Sequence, residues 1–173
     1  MKVDPKTRLV LTGFMGVGKS SVARHLANRL KLKWTDLDRV IEDQEKSSVA
    51  KIIDGRGVEA YREIESGVLT RVTADPATTI LSLGGGAWTV PANRETLKGN
   101  GFQSIWLEAT FEHCWLNITF SKKERPVARD KKKALQLFND RQKVYCLADW
   151  HFVVRADHTS YDVAGQIAEE IFG

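Results

Sequence analysis

The stretch GFMGVGKS, residues Gly13–Ser20, decides the fold of this chain of 173 residues. It fits the pattern G-x-x-x-x-G-K-[ST] at every position. The apolar run Leu9–Leu11 before it predicts a buried strand, and SVARHLANRL after it has apolar residues at helical spacing. Glycines in a loop between a strand and a helix let successive backbone N–H groups point at phosphate oxygens. The stretch therefore predicts a phosphate-binding loop (P-loop).

Each part of this loop has a predicted role in binding a nucleoside triphosphate. The side chain of Lys19 would reach the β- and γ-phosphates, and the hydroxyl of Ser20 would bind Mg²⁺. The start of the following helix adds the positive end of its dipole. The residues predicted to surround the phosphates are Gly16, Val17, Gly18, Lys19, Ser20 and Ser21.

Short apolar strands alternate with helical stretches along the rest of the chain, which is typical of a parallel sheet covered on both faces. We expect one α/β domain over residues 1–173, with three layers and a central parallel sheet of about five strands. A short helix is predicted to begin after Ser47 or Ser48 and to stop at Gly55. The helix ALQLFNDRQKVYCLA is predicted to have an apolar side made of Leu135, Phe138, Val144 and Leu147.

Composition limits the classes of protein that fit. The chain is 42% hydrophobic and 28% charged, which is typical of a soluble globular protein. No apolar run approaches the roughly 20 residues that cross a bilayer, so we expect no membrane association. Cys114 and Cys146 are too few and too far apart for a zinc site or a disulfide framework. Two reduced thiols favour a cytoplasmic protein.

The basic charge of the chain is concentrated in one segment. Lys122–Lys133 contains seven basic and two acidic residues, and the rest of the chain contains 19 basic and 20 acidic residues. A nucleic-acid binder more often spreads its charge over a face with interleaved aromatic residues, so we expect no nucleic-acid partner. From composition alone, the segment is either a solvated charge run or part of a functional site.

Three further sites could accompany the loop. Asp36 and Asp38 follow a predicted strand and could serve Mg²⁺ and an acceptor hydroxyl, or they are only the acidic start of a helix. Three glycines, Gly84, Gly85 and Gly86, follow the strand TTILSL, where they either admit a ligand to bare backbone or form a flexible loop. Arg62 lies on a predicted helix, where most arginines are solvated.

A P-loop also occurs in GTPase-type switches, which leaves a second class of protein open. The sequence DGRG, residues 54–57, matches the pattern D-x-x-G that senses a γ-phosphate in such switches. However, no guanine-reading N-K-x-D follows, and a helix rather than a strand is predicted before Asp54. These observations favour a phosphotransferase over a switch.

Several motifs, in order along residues 9–150, resemble those of the shikimate kinases. GFMGVGKSS resembles the signature G-F-M-G-[AS]-G-K-[ST], DLDRVIE is similar to the D-x-D segment, and LSLGGGA is similar almost letter for letter. GVEAYREIE resembles G-E-x-x-F-R-x-x-E with two changes, Val58 in place of the glutamate and Tyr61 in place of the phenylalanine. RPVA is similar to the R-P-L of the lid, and RQKVYCLAD is similar to R-x-x-x-Y.

The resemblance implies a fold like that of nucleoside monophosphate kinases and a Mg²⁺-dependent reaction. ATP would give its γ-phosphate to the 3-hydroxyl of shikimate, a step toward chorismate and the aromatic amino acids. The partner would be this small molecule alone, and the enzyme would be a monomer. A kinase for another hydroxy acid, such as gluconate, is the nearest alternative.

The resemblance also implies roles for individual residues. Lys19 would stabilise the transferring phosphoryl group, and Asp38 would orient the acceptor hydroxyl or take its proton. Arg125, on a mobile lid at about residues 118–133, would close over the nucleotide phosphates. Ser20 and Asp36 would hold Mg²⁺. The predicted acceptor-binding residues are Asp38, Arg62, Gly84, Gly85, Gly86 and Arg141.

The chain departs from the family pattern on the side of the nucleotide base. Members often have an arginine several residues before R-P-L, whereas NITFSKKE has none. VRADHTS stands where the family usually has V-D-T, so Arg155 or His158 is a candidate for the contact with adenine. Trp88, directly after Ala87 and the three glycines, could either line the acceptor pocket or pack in the core.

Overall fold

Five short parallel strands form the sheet of this protein, which was analysed as a computed structural model that describes residues 3–173. The strands lie in the order β2-β3-β1-β4-β5, and every neighbouring pair is parallel. Their bounds are β1 (Leu9–Thr12), β2 (Trp34–Asp36), β3 (Ile80–Ser82), β4 (Gln103–Glu108) and β5 (Trp150–Val153). The predicted α/β class, with a parallel sheet of about five strands, is confirmed.

Eight α-helices connect the strands or follow them within residues 3–173. They are α1 (Lys19–Leu30), α2 (Leu37–Glu45), α3 (Val49–Arg56), α4 (Val58–Ala74), α5 (Pro91–Gly99), α6 (Phe111–Phe120), α7 (Lys131–Tyr145) and α8 (Ser160–Phe172). Because crossovers between parallel strands are right-handed, α1 lies on one face of the sheet and α2–α7 lie on the other. The last helix, α8, packs against α1 and completes the first face.

Polar side chains begin most of the helices, as helix capping requires. Asp36 caps α2, Ser48 caps α3, and Thr159 caps α8 in a reciprocal capping box with Asp162. Several predicted bounds differ from the structure. The strand predicted for TTILSL is only Ile80–Ser82, and the helix predicted for ALQLFNDRQKVYCLA begins and ends three residues earlier, as Lys131–Tyr145. Gly55 does not end α3, which continues to Arg56 and stops at Gly57, whose φ of 89° is available to glycine at no steric cost.

The buried side of α7 also differs from the prediction. Leu135 and Leu147 are 41% and 59% exposed. The side chains that the helix buries are Ala134, Phe138, Arg141 and Tyr145, spaced four, three and four residues apart. An arginine on a buried face escapes a search for apolar periodicity, so the sequence pattern was shifted toward the wrong side.

The central strand β1 and the edge where it ends position the site. All four residues of β1 are 0% exposed. Because the strands are parallel, β1, β2 and β3 all end at one edge of the sheet, at Thr12, Asp36 and Ser82. The loops after β1 and β3 begin at the same edge. Ligands of open α/β sheets bind at this edge. No helix in the described part of the chain combines the length and the apolar character needed to cross a bilayer.

Candidate active site

The loop between β1 and α1 depends on glycines for its shape. Gly13, Gly16 and Gly18 all have positive φ angles, of 143°, 83° and 98°. A Cβ atom on Gly13 would lie 2.6 Å from the carbonyl oxygen of Leu107, and one on Gly16 would lie 2.5 Å from that of Cys114. The loop is therefore packed against neighbouring backbone and curls as a phosphate-binding loop must.

Lys19 is held inside this loop. Its Nζ donates to the carbonyl oxygens of Gly13 at 2.7 Å and Phe14 at 3.0 Å, and the residue is only 8% exposed. An ammonium group has three N–H donors, so one remains for a ligand in the cleft. Burial lowers the pKa of Lys19 to about 8, which leaves it mostly protonated at neutral pH.

Ser20 and Asp36 form a pair of oxygen donors beside the loop. The Ser20 hydroxyl donates to Oδ2 of Asp36 at 2.6 Å, and Oδ1 of Asp36 accepts from the backbone N–H of Arg39 at 3.3 Å. Residues 3–173 contain no cluster of three or more His, Cys, Asp or Glu suited to a metal. Mg²⁺ does not need one, because it binds through one or two protein oxygens and completes its shell with water and phosphate. This donor pair fits Mg²⁺.

Asp38 lies in the first turn of α2, two residues beyond the strand. Its Oδ1 accepts from the hydroxyl of Tyr61 at 3.1 Å, and its Oδ2 accepts from Nζ of Lys123 at 3.0 Å. A Cβ atom on Gly84 would lie 2.8 Å from Oδ1, so the first of the three glycines lets backbone approach this carboxylate. Both aspartates therefore line the cleft along the loop, but they have different partners, and only Asp38 also lines the cavity beside Arg62.

Two arginines lie against the other glycines. Arg62 donates to Oε1 of Glu65 at 2.6 Å, and the Glu65 side chain is 0% exposed. A Cβ atom on Gly86 would overlap the Arg62 guanidinium, and one on Gly85 would lie 3.1 Å from that of Arg141. Burial lowers the pKa of Arg141, which nevertheless remains a cation at neutral pH.

Two cavities meet at Asp38. A cleft of about 580 Å³ runs along the loop and α6, and a smaller cavity lies between Arg62, Arg141 and the three glycines. Both are lined by Asp38, Lys123 and Arg125. A group bound in the cleft would therefore face a molecule in the smaller cavity across one carboxylate and two lid cations.

Comparisons with known proteins agree on one family. The shikimate kinase family model matches residues 15–172. The shikimate kinase of Brucella canis is 32% identical over 164 residues, which are 93% of this chain and 80% of that protein. A solved structure of shikimate kinase from Acinetobacter baumannii in complex with shikimate has a TM-score of 0.87 and 30% identity, and covers 95% of this chain and 92% of that one.

This chain belongs to the shikimate kinase family. Its members are ATP-dependent kinases, so neither the switch nor the gluconate kinase is the better interpretation. A gluconokinase from Sinorhizobium meliloti has a TM-score of 0.60 but only 13% identity, a likeness of fold alone. The aspartate of the D-x-x-G match, Asp54, lies on α3, where it accepts two hydrogen bonds from Arg129 at 3.1 and 2.8 Å.

The residues that resemble the shikimate kinase motifs lie at one edge of the sheet. The two candidates for the contact with adenine, Arg155 and His158, line different cavities. His158 lines the far end of the cleft, and its buried Nδ1 has no hydrogen-bond partner among residues 3–173. Arg155 lies in the wall of a separate cavity. Trp88 does not line the acceptor cavity, because its indole packs in the core and donates to the carbonyl oxygen of Val144 at 2.9 Å.

Two polar neighbours of Asp38 were missed as site residues in the sequence. In the sequence, Tyr61 is noted only as a tyrosine in place of the motif's phenylalanine, and Lys123 only as part of a charged segment. The spacing of four residues between Tyr61 and Glu65 puts both on one side of a helix. That spacing was the available signal, but the sequence does not show that Asp38 of α2 lies beside them.

Proposed function

We propose that this member of the shikimate kinase family uses Mg²⁺ and ATP to phosphorylate the 3-hydroxyl of shikimate, giving shikimate 3-phosphate and ADP. The reaction is a step toward chorismate and the aromatic amino acids. The observation that carries the proposal is the position of Asp38, at the boundary between the P-loop cleft and a cavity lined by two arginines. An acceptor hydroxyl at that boundary would face the end of a triphosphate.

The charges of the smaller cavity support an anionic acceptor. The charged residues that line it are four cations and three carboxylates, namely Arg62, Lys123, Arg125, Arg141, Asp38, Glu65 and Glu124. Glu65 pairs with Arg62 and Asp38 pairs with Lys123. The guanidinium of Arg141 therefore needs a further anion to balance it when water is excluded. The planar fork of arginine binds a carboxylate through two parallel hydrogen bonds. Shikimate offers such a carboxylate on the same small ring as the hydroxyl that is phosphorylated.

The residues of the cleft support phosphoryl transfer. The backbone N–H groups of Gly16–Ser21 and the free N–H of Lys19 would bind the phosphates, and Arg125 would add a cation from the lid. Ser20 and Asp36 would hold Mg²⁺, which neutralises charge on the phosphate oxygens when bound. Asp38 would orient the acceptor hydroxyl toward the γ-phosphate and accept its proton.

We propose that the chain is a single domain and that residues 118–133 form its mobile lid. Lys123 and Arg125 of this segment line both cavities. On its outer side Arg129 pairs with Asp54 of α3, and these side chains are 57% and 47% exposed. An exposed ion pair contributes little to stability because solvent screens it, so this contact would release at little cost. A closed lid would keep water from the γ-phosphate.

We also propose that the enzyme acts in the cytoplasm as a monomer without nucleic-acid or membrane partners. The basic segment contributes Lys123 and Arg125 to the site, which accounts for charge that a nucleic-acid surface would otherwise explain.

A coupled assay for ADP over a panel of hydroxy acids tests the proposed function. We expect saturable ADP formation that requires both Mg²⁺ and shikimate and is not supported by gluconate. Shikimate methyl ester is the matched control, because it keeps the hydroxyls and lacks the anionic carboxylate. Equal turnover with gluconate, or a preference for GTP with tight binding of GDP, would contradict the proposal.

Replacing Arg62 with alanine should separate the two cavities. We expect the KM for shikimate to rise about tenfold to a hundredfold, because a hydrogen bond between charged groups is lost. The KM for ATP should change by less than about threefold, because Arg62 does not line the cleft. Arg71→Ala, an exposed arginine on the same helix, is the control. An equal loss of affinity for ATP would show that the role is misassigned.

A further inference from the structure

The hydroxyl of Tyr61 lies between two carboxylates. It is 3.1 Å from Oδ1 of Asp38 and 3.0 Å from Oε2 of Glu65. Tyr61 is only 3% exposed and Glu65 is 0% exposed, so the bond between them is shielded from water, whereas the Asp38 side chain is 16% exposed. The motif G-E-x-x-F-R-x-x-E, which GVEAYREIE resembles, has phenylalanine and therefore no hydroxyl at the position of Tyr61.

The phenol is a permanent donor in this position. Burial raises the pKa of Tyr61 and the neighbouring carboxylates raise it further, so the hydroxyl keeps its proton over the whole range in which the enzyme works. The hydroxyl has a single proton, so it donates to one of the two carboxylates at a time and the two share it. Burial raises the pKa of Glu65 as well, although its other oxygen is held by Arg62.

The two oxygens of the Asp38 carboxylate have different partners, which affects how each can bind a ligand. Oδ1 is held by Tyr61, whereas Oδ2 is held by Lys123, whose side chain is 47% exposed and belongs to the segment proposed as the lid. The contact between Tyr61 and Asp38 does not involve the lid segment and would persist when that segment moves. The contact between Lys123 and Asp38 could break. Because a carboxylate oxygen has two lone pairs, Oδ2 can accept from an acceptor hydroxyl whether or not Lys123 moves with the lid segment.

We propose that Tyr61 is a positioning residue, whose hydroxyl fixes Oδ1 of Asp38 so that Oδ2 faces the acceptor hydroxyl. This inference rests on the proposed function, in which Asp38 serves the hydroxyl of shikimate. Tyr61 acts through Asp38 and does not itself touch the reacting atoms. The Arg62–Glu65 pair, at 2.6 Å, remains in place without the phenol and continues to hold the acceptor-binding arginine.

The test is a separation of kcat from KM in Tyr61→Phe. Because the variant loses the orientation of Asp38 and keeps both arginines, we expect kcat to fall about fivefold to tenfold. The KM for shikimate should change by less than about twofold. Tyr161→Phe, the same chemical change at a residue that is 60% exposed on α8, should leave both constants unchanged. An unchanged kcat in Tyr61→Phe, with or without a lower Tm, would overturn the proposal.

A crystal structure of the variant gives a readout independent of activity. We expect the Asp38 carboxylate of Tyr61→Phe to rotate away from its wild-type orientation, and an unchanged carboxylate would overturn the proposal. If the wild-type enzyme does not phosphorylate shikimate, the proposed function fails, while the orientation of Asp38 still decides the role of Tyr61. If the loss of a partner for buried Glu65 prevents folding, Tyr61→Phe/Glu65→Gln removes that buried charge, and the same two outcomes apply to its Asp38 carboxylate.

Discussion

Lys19→Met is expected to lower kcat about a thousandfold, the largest effect of any single substitution in this site. Methionine has a similar length and fills the same buried space, but it brings no charge and no N–H donor. The variant loses the cation nearest the phosphates and the bonds from Nζ to the carbonyl oxygens of Gly13 and Phe14. Charge stabilisation by preorganised donors is usually the largest single contribution to catalysis, and phosphoryl transfer depends on little else.

The measurement for Lys19→Met is the steady-state rate of ADP formation at saturating shikimate. Lys51→Met is the matched control, because Lys51 is an exposed lysine on α3 away from both cavities. Circular dichroism and Tm of the variant establish that the loop has not unfolded. A kcat within about tenfold of the wild type would mean that Lys19 supports only the shape of the loop.

Asp38→Asn is expected to lower kcat about a hundredfold or more, with a smaller effect on the KM for shikimate. Asparagine keeps the shape of the side chain and can still accept a hydrogen bond from Tyr61 through its amide oxygen. It cannot take the proton of the acceptor hydroxyl, and its NH₂ group carries no negative charge to pair with Lys123. The loss should therefore appear in the chemical step.

Asp43→Asn, an exposed carboxylate on the same helix, is the control for this substitution. It removes the same charge from α2 without touching either cavity, so its kcat should match the wild type. A near-normal rate for Asp38→Asn would remove the role of Asp38 as proton acceptor. A rate that falls only because the KM for shikimate rises would make Asp38 a binding residue instead.

The phosphate-binding loop was the part of the site that the sequence predicted best. The pattern from Gly13 to Ser20 is local, and each of its positions is set by the same short turn. The strands around it were predicted from apolar runs, and their parallel direction was predicted from their alternation with helices. The fold could therefore be predicted almost entirely from contacts between near neighbours in the chain.

Contacts between distant segments explain what the sequence left out. Asp38 meets Tyr61 across 23 residues and Lys123 across 85 residues, and no local pattern records either distance. Tyr61 satisfies an apolar periodicity with its ring while its hydroxyl serves a polar network. Arg141 does the reverse, because a polar residue occupies a buried position on α7. The analysis of apolar periodicity therefore missed polar groups that lie on buried faces, such as the Tyr61 hydroxyl and the Arg141 guanidinium.

The close packing of the loop has a consequence for how such sequences can change. The atoms that a side chain at Gly13 or Gly16 would strike are the main-chain carbonyls of Leu107 and Cys114. Every amino acid carries that carbonyl, so no second mutation at residue 107 or 114 could make room by trimming a side chain. A substitution at Gly13 or Gly16 therefore cannot be compensated by a second substitution at the residue it would contact. In evolution, the smaller cavity beside Arg62 and Arg141 can change by single side-chain substitutions. The phosphate-binding loop cannot change in this way at Gly13 or Gly16.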